Sequence, residues 1–424
     1  MHPTSLASLI VLVLIATRWA AQFWLERLNQ SHVLKHAGAV PEAFSGRLDA
    51  ATYSRSVEYT LAKSRLNQVE EAYGALILLG VLFSGCLPWV FQFFVHTFGT
   101  SVWAMAGFVF AAGVALSLTS LPFDWYAQFH LEARFGFNTT TPKLWWSDRA
   151  KGLLLALVLG VPLLALILKL VEWAGTAWWV WAWASVLGFQ LLMIVLAPSV
   201  ILPLFNKFSP LSAGSLRDRL HALAERARFR VAGIQVMDGS KRSRHSNAFF
   251  TAFGRFRKIV LFDTLIQELT EPELESVLAH EIGHWKRRHV PKMLAFSAVA
   301  LLLGFYALAW LAEQAWFYAV FGFQPGSLAP ALLLFALLSG LLTFWFSPLA
   351  NVISRRHEYQ ADAYAAAAMG GPEFLVGALR RLTEKNLSNL TPHPLYSRFF
   401  YSHPTLLERE AALSRQAVDN APRA

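Results

Sequence analysis

The stretch VLAHEIGHWKRRHV, residues 277–290, sets two histidines four residues apart with a glutamate beside the first, then three basic residues and a third histidine. It runs almost directly into MLAFSAVALLLGFYALAWL, residues 293–311. A metal-binding pattern therefore stands at the edge of an apolar run long enough to cross a bilayer, which needs roughly 20 residues. Residues 271–285 read as a helix. Thr270 is placed to cap it, Pro272 lies in its first turn, and Glu271 and Glu273 sit at its positive end.

On that helix His280 and His284 share one face, one turn apart, so both imidazoles reach a single Zn²⁺. Glu281 is displaced around the helix and sits beside the ion, where it can take a proton from water that the metal has acidified. A catalytic zinc site wants three protein ligands and one open position. A continuation of the motif with a glycine at position 287 and a third histidine at position 290 is excluded, because Arg287 and Val290 stand there. The better candidate is Glu358, with Asp362 four residues on: Glu358 completes a His₂Glu set, and Asp362 accepts the ring N–H of a ligand histidine and fixes its tautomer. An ordinary helix carboxylate pair facing Arg355 and Arg356 is the alternative for these two. His357 points elsewhere on the helix, and His221, His289 and His393 read as surface residues.

Working outward, the rest of the chain is membrane protein. Of 424 residues 55% are hydrophobic and only 15% charged, against about 25% in soluble domains, and the mean hydropathy is +0.41. The single cysteine, Cys86, excludes an internal disulfide and cysteine-rich zinc ligation, and reads as an inert packing residue. Seven apolar runs are candidate spans: 6–25, 73–96, 102–122, 152–171, 178–202, 293–321 and 328–350. The first reads as a retained anchor, with no small-residue cleavage site close behind it. Apart from Arg18 and Lys169, every Lys and Arg falls in 26–71, 123–151, 203–292 or 351–424. The positive-inside rule then sets the N-terminus outside and the C-terminus and zinc site on the cytoplasmic side. The net charge of +10 is explained by this distribution and calls for no nucleic acid.

The expected organisation is an all-α integral membrane protein with a small α+β zinc metallopeptidase domain. Residues 1–202 carry spans one to five with cytoplasmic loops 26–71 and 123–151. Residues 203–292 form the metallopeptidase segment, 293–350 carry spans six and seven, and 351–424 form a C-terminal helical segment with the third ligand. Within 203–292, residues 216–230 read as an amphipathic helix, and 233–236, 258–262 and part of the NAFFTAFGR stretch as strands.

HEIGHW at 280–285, EYQADAYA at 358–365, SRHSNAFFTAFGR at 243–255 and YSHPTLLERE at 401–410 together resemble the type I CAAX prenyl proteases, which are integral-membrane zinc metalloendopeptidases. FDWYAQFHLEARFGFNTTTPKLWWSDRAKG at 123–152 resembles that family's loop after the third span. The resemblance implies seven helices around a water-filled chamber, one Zn²⁺ per chain on His280, His284 and Glu358, and Glu281 as general base. It implies that Asn247 and Ala248 pair by backbone with an extended substrate. His403 would donate to the oxyanion. Arg409 is assigned to substrate binding, holding carboxylate side chains in place, with a structural salt bridge as its other reading. The implied partners are a peptide or protein substrate, lipid-bearing or not, and the lipid bilayer. The Ala-, Leu- and Trp-rich composition points to a bacterial inner membrane. Two other readings remain open: a quality-control protease of membrane proteins without a prenyl requirement, and a transporter or channel with structural zinc.

Overall fold

The computed structural model describes residues 3–46, 48–245, 248–253 and 256–419. Helices α1 (Pro3–His36), α2 (Ala50–Phe83), α3 (Cys86–Phe98), α4 (Val102–Leu118), α5 (Leu121–Tyr126), α6 (Pro142–Ala174), α7 (Trp178–Leu196) and α8 (Leu202–Phe205) come first. A head follows with strand β1 (Phe208–Pro210), helix α9 (Ser215–Arg226), strands β2 (Gly233–Met237), β3 (Ala248–Phe253) and β4 (Phe256–Phe262), and helices α10 (Asp263–Glu268) and α11 (Glu271–Lys286). Then come α12 (His289–Ala312), α13 (Ala315–Ala319), α14 (Leu328–Met369), α15 (Glu373–Lys385), α16 (Pro394–Phe400) and α17 (Leu406–Asp419).

Helix starts carry their expected chemistry. Asp49 accepts from the Thr52 amide at 2.8 Å, Ser101 from that of Ala104 at 3.2 Å and Thr141 from that of Leu144 at 3.2 Å. Thr270 and Glu273 form a capping box at the head of α11, satisfying amides that have no partner within the helix.

Five helical stretches among the described residues are long and apolar enough to cross a bilayer: Thr4–His36, Ala50–Phe83, Pro142–Phe205, His289–Ala312 and Leu328–Met369. A sixth is counted when Val102–Leu118 and Leu121–Glu132, bent by 44°, are taken together. This count is below the seven expected. The apolar run 73–96 is broken at Gly85, whose φ of 79° lies in the left-handed region, so its second half becomes the 13-residue α3. The chain is a multi-pass membrane protein, and large apolar side chains such as Trp89, Leu303 and Phe346 point out of the bundle. Cys86 is exposed on this surface rather than packed, because a face turned to hydrocarbon is as apolar as a core.

The stretches 26–71 and 123–151, expected as loops, are largely helical. Helix α1 runs on to His36 and α2 starts at Ala50, and between them lies a polar seam. Gln30 Nε2 donates to Ser64 Oγ at 2.9 Å and to Gln68 Oε1 at 3.0 Å, and Ser64 Oγ bonds to Glu26. The apolar window marks how far a helix stays greasy, not where it ends. Residues 123–151 hold α5, a π-helical segment Ala127–Glu132 and the first turns of α6.

In the head, strand order is β1-β2-β4-β3, with β2 and β4 parallel and both outer pairs antiparallel. Strand β3 is thus an edge strand among the described residues. Leu220, Leu223, Ile259, Leu261, Leu274 and Ile282 close the head's core. A separate core of the spans holds Leu82, Phe108, Leu308, Tyr318 and Leu334. Helix α14 joins the two: it is a single 42-residue helix, apolar at its start and carrying Glu358 and Asp362 near its end.

Candidate metal centre

The site is made where α11 lies against α14. Gly283 permits the contact: a Cβ there would lie 3.0 Å from the Ala361 Cα and 3.1 Å from the Tyr364 Cβ. With the helices this close, the histidine turns of α11 meet the carboxylate turn of α14. His280 Nε2 and His284 Nε2 are 3.1 Å apart. Glu358 Oε2 lies 3.4 Å from the first and Oε1 3.3 Å from the second. The three ligand atoms fall within 4.8 Å of one another, the one such group of three among the described residues.

The donor set fits a metal ion. Glu358 is buried, and its Oε2 has no hydrogen-bond partner among the described residues; an orphaned buried carboxylate oxygen is costly unless something is meant to meet it. Two imidazoles and one carboxylate match an open four-coordinate site with one position left over. The fourth protein ligand that a closed structural site would need is absent from the group among the described residues.

Each histidine is held from behind. His280 Nδ1–H donates to Asp362 Oδ1 at 2.8 Å. Asp362 in turn accepts from Arg409 Nε at 2.7 Å and from its Nη2. Burial alone would push the His280 imidazole down, but its bond to Asp362 and the nearby Glu358 carboxylate outweigh this and hold it up at about 9. Burial pushes the Glu281 carboxyl above its ordinary range, against the pull of His280 and His284.

The remaining expected site residues fall as follows. His403 projects from the loop before α17, with Nε2 3.5 Å from Glu358 Oε1 and its side chain 65% exposed. It lines a polar cavity of about 890 Å³ that also touches Lys63, Asn67, Asn389 and Tyr396. A second cavity of about 450 Å³ reaches His284 and Glu358 from the side of Gln190 and Met293. Arg409 is buried and spent on Asp362. The salt-bridge reading has its geometry here, and the guanidinium also comes within 3.9 Å of Glu358 Oε2 through Nη1. Ala248 opens β3, paired with Leu261; Asn247 lies outside the described residues.

Two features were not read from the sequence. His289, expected on the surface, is buried, and its Nδ1 lies 2.9 Å from His284 Nδ1. Second, Tyr59 O–H donates to Glu132 Oε1 at 2.6 Å while His245 Nε2 lies 3.1 Å from Glu132 Oε2 and its Nδ1 3.1 Å from Asn386 Oδ1. That network ties the residues just before β3 to α2, the π-helical segment and the end of α15. The only signal for either was a histidine beside a motif.

Comparison with known proteins assigns a family to both halves of the chain. Residues 29–207 match the profile described as CAAX prenyl protease N-terminal, five membrane helices, and residues 210–417 match peptidase family M48. CAAX prenyl protease 1 of Saccharomyces cerevisiae is 36% identical over 407 residues, covering 88% of each chain. The CAAX prenyl protease 1 homolog of Oryza sativa is 37% identical over 399 residues, covering 91% of this chain and 92% of that protein. The crystal structure of S. mikatae Ste24p superposes with a TM-score of 0.89 at 34% identity, over 96% of this chain and 98% of that one. With both halves matched and a His₂Glu group inside the second, the chain belongs to the M48 metallopeptidases and carries the membrane region of the CAAX prenyl proteases.

Proposed function

We propose that this membrane metallopeptidase uses zinc to cut CAAX-ending, lipid-bearing peptides. The observation that carries the reading is the three-ligand group of His280, His284 and Glu358 with one coordination position to spare, set beside a polar cavity. The names of the relatives supply the substrate class.

His280, His284 and Glu358 would hold the ion, whose bound form supplies a Lewis acid that polarises a scissile carbonyl and acidifies water. The chain does the rest. Glu281 takes the proton of the attacking water and returns it to the leaving amine; its raised pKa suits both directions of transfer. His403, at the cavity wall, donates Nε2–H to the oxygen that becomes negative. An extended substrate adds to the edge of β3 by backbone pairing, which sets the scissile bond against α11.

The finer topology proposed is seven crossings. The stretch Pro142–Phe205 turns at Gly175, where φ is 54°, and α6 and α7 pack on each other, so it supports two spans. Together with Thr4–His36, Ala50–Phe83, the bent pair Val102–Leu118 and Leu121–Glu132 taken as one, α12 and α14, this gives seven. The basic segments favour a cytoplasmic site.

The test compares cleavage of one CAAX-ending peptide with and without its farnesyl group by detergent-purified protein, with Glu281→Gln as blank. Cutting of the farnesylated peptide alone supports the proposal. Equal cutting of both makes it a general membrane endopeptidase, and full activity in Glu281→Gln removes the role given to Glu281.

A further inference from the structure

His289 opens α12 directly behind the second metal ligand. Arg288 has a φ of 55°, a left-handed conformation uncommon for a non-glycine residue. That one residue ends the α11 direction and turns the chain so that His289, the first residue of α12, faces back toward His284. The His289 ring is 3% exposed and stacks on His357 at 4.0 Å with 12° between planes. Its Nδ1 is 2.9 Å from His284 Nδ1, and its Nε2 is 2.9 Å from Gln360 Oε1.

With Gln360 Oε1 facing the ring, one placement of the protons on neutral imidazoles satisfies both contacts. An amide oxygen only accepts, so His289 Nε2 carries a hydrogen and donates it to Gln360. A neutral imidazole has a single N–H, so His289 Nδ1 is a lone pair. The bond between the two Nδ1 atoms is then His284 Nδ1–H donating to His289 Nδ1. His284 in consequence keeps its Nε2 lone pair on the side of His280 and Glu358. The reverse direction would put a proton on His284 Nε2, inside the ligand group.

We propose that His289 is a positioning residue for metal binding, with Gln360 as its own support. Gln360–His289–His284 is a relay that fixes the tautomer and the ring plane of the second ligand, as Arg409–Asp362–His280 does for the first. Glu358, Gln360 and Asp362 all lie within five residues of α14, so one segment of helix supplies the third ligand and supports both histidines. The inference rests on the metallopeptidase reading, but concerns how tightly the ion is held rather than which peptide is cut.

The experiment uses the full chain in detergent, stripped of metal, and titrates Zn²⁺ against a chromophoric chelator. A parent protein that takes up no zinc would sink the metallopeptidase reading itself; a parent that does leaves the relay to be judged by its variants. His289→Phe keeps a ring to stack on His357 and removes both nitrogens. Gln360→Leu removes the acceptor behind His289, and Gln360→Glu retains one. Zinc affinity is expected to fall about 10- to 100-fold in the first two and to stay within about threefold in Gln360→Glu. The visible absorption of the Co²⁺-loaded protein is expected to change in His289→Phe and Gln360→Leu and not in Gln360→Glu. Parent-like zinc affinity in the Phe and Leu variants overturns the proposal. So does a lowered unfolding temperature with an unaltered cobalt spectrum, the mark of packing alone. If His289→Phe fails to fold, the contrast between Gln360→Leu and Gln360→Glu decides.

Discussion

The guanidinium of Arg409 closes on both carboxylate oxygens of Asp362, and the two side chains are 10% and 2% exposed. A forked, buried pair of this kind is costly to break from one side, because the other charge stays behind unpaired, at roughly 3–5 kcal/mol. Arg409→Ala is therefore expected to destabilise the protein by about that amount. Zinc affinity should fall with it, since Asp362 loses what holds it against His280. Arg409→Lys restores charge without the fork and should recover only part of both. Denaturant unfolding in detergent and zinc titration check the pair of effects; an Ala variant as stable as the parent would remove this account of Arg409.

His403 stands largely in solvent, so replacing it leaves the fold alone. His403→Phe is expected to lower kcat by about 10²–10³, with KM changed little, as for the loss of one oxyanion donor. Steady-state kinetics on a farnesylated peptide measure the split. A KM effect with kcat intact would make His403 a substrate contact instead.

Gly283→Ala tests the approach of the helices. The new methyl would meet the backbone of Ala361 at 3.0 Å, which leaves α11 no room except away from α14. Overpacking of this kind costs about 1–3 kcal/mol, and here it also draws His284 from Glu358. Zinc binding should weaken before the unfolding transition shifts much. Parent-like affinity in Gly283→Ala would mean that this contact does not set the ligand spacing.

The metal-free site should show its charge in pH titrations. His280 is held up at about 9, above its ordinary 6.5. The folded state thus binds a proton that the unfolded chain releases earlier, and the stability this gives is complete below pH 6.5 and is lost as pH rises through about 9. Metal-free protein is expected to unfold more easily at about pH 9 than at about pH 6.5, and Asp362→Asn should flatten that slope. Zinc uptake at about pH 7.5 should expel the same proton, visible as a buffer-dependent heat in calorimetry.

The two four-residue spacings were legible because a helix puts i and i+4 on one face in any fold. That is why His280 with His284, and Glu358 with Asp362, could be named before their helices were seen together. His289 was not legible for the same reason: five residues after His284, a continued helix would carry it to another face. Only the left-handed turn at Arg288 brings it back, and nothing in an arginine announces that turn. The ends of α1 and α2 were misjudged because Gln30, Ser64 and Gln68 satisfy one another across the helices, so polar side chains continue a helix where a hydropathy window stops. For Arg409, charge complementarity names a carboxylate partner without saying whose, and the fold sets Asp362 against it.

The order of the parts along the chain has a consequence for how the protein is made. His280 and His284 come first in the sequence, Glu358 follows only after α12 and the apolar start of α14, and the arginine paired with Asp362 lies on α17. An unfinished or stalled polypeptide therefore has two histidines and no centre. The ligand group is a product of tertiary docking: it exists only once α14 lies against α11, so its assembly reports that the head and the spans have come together.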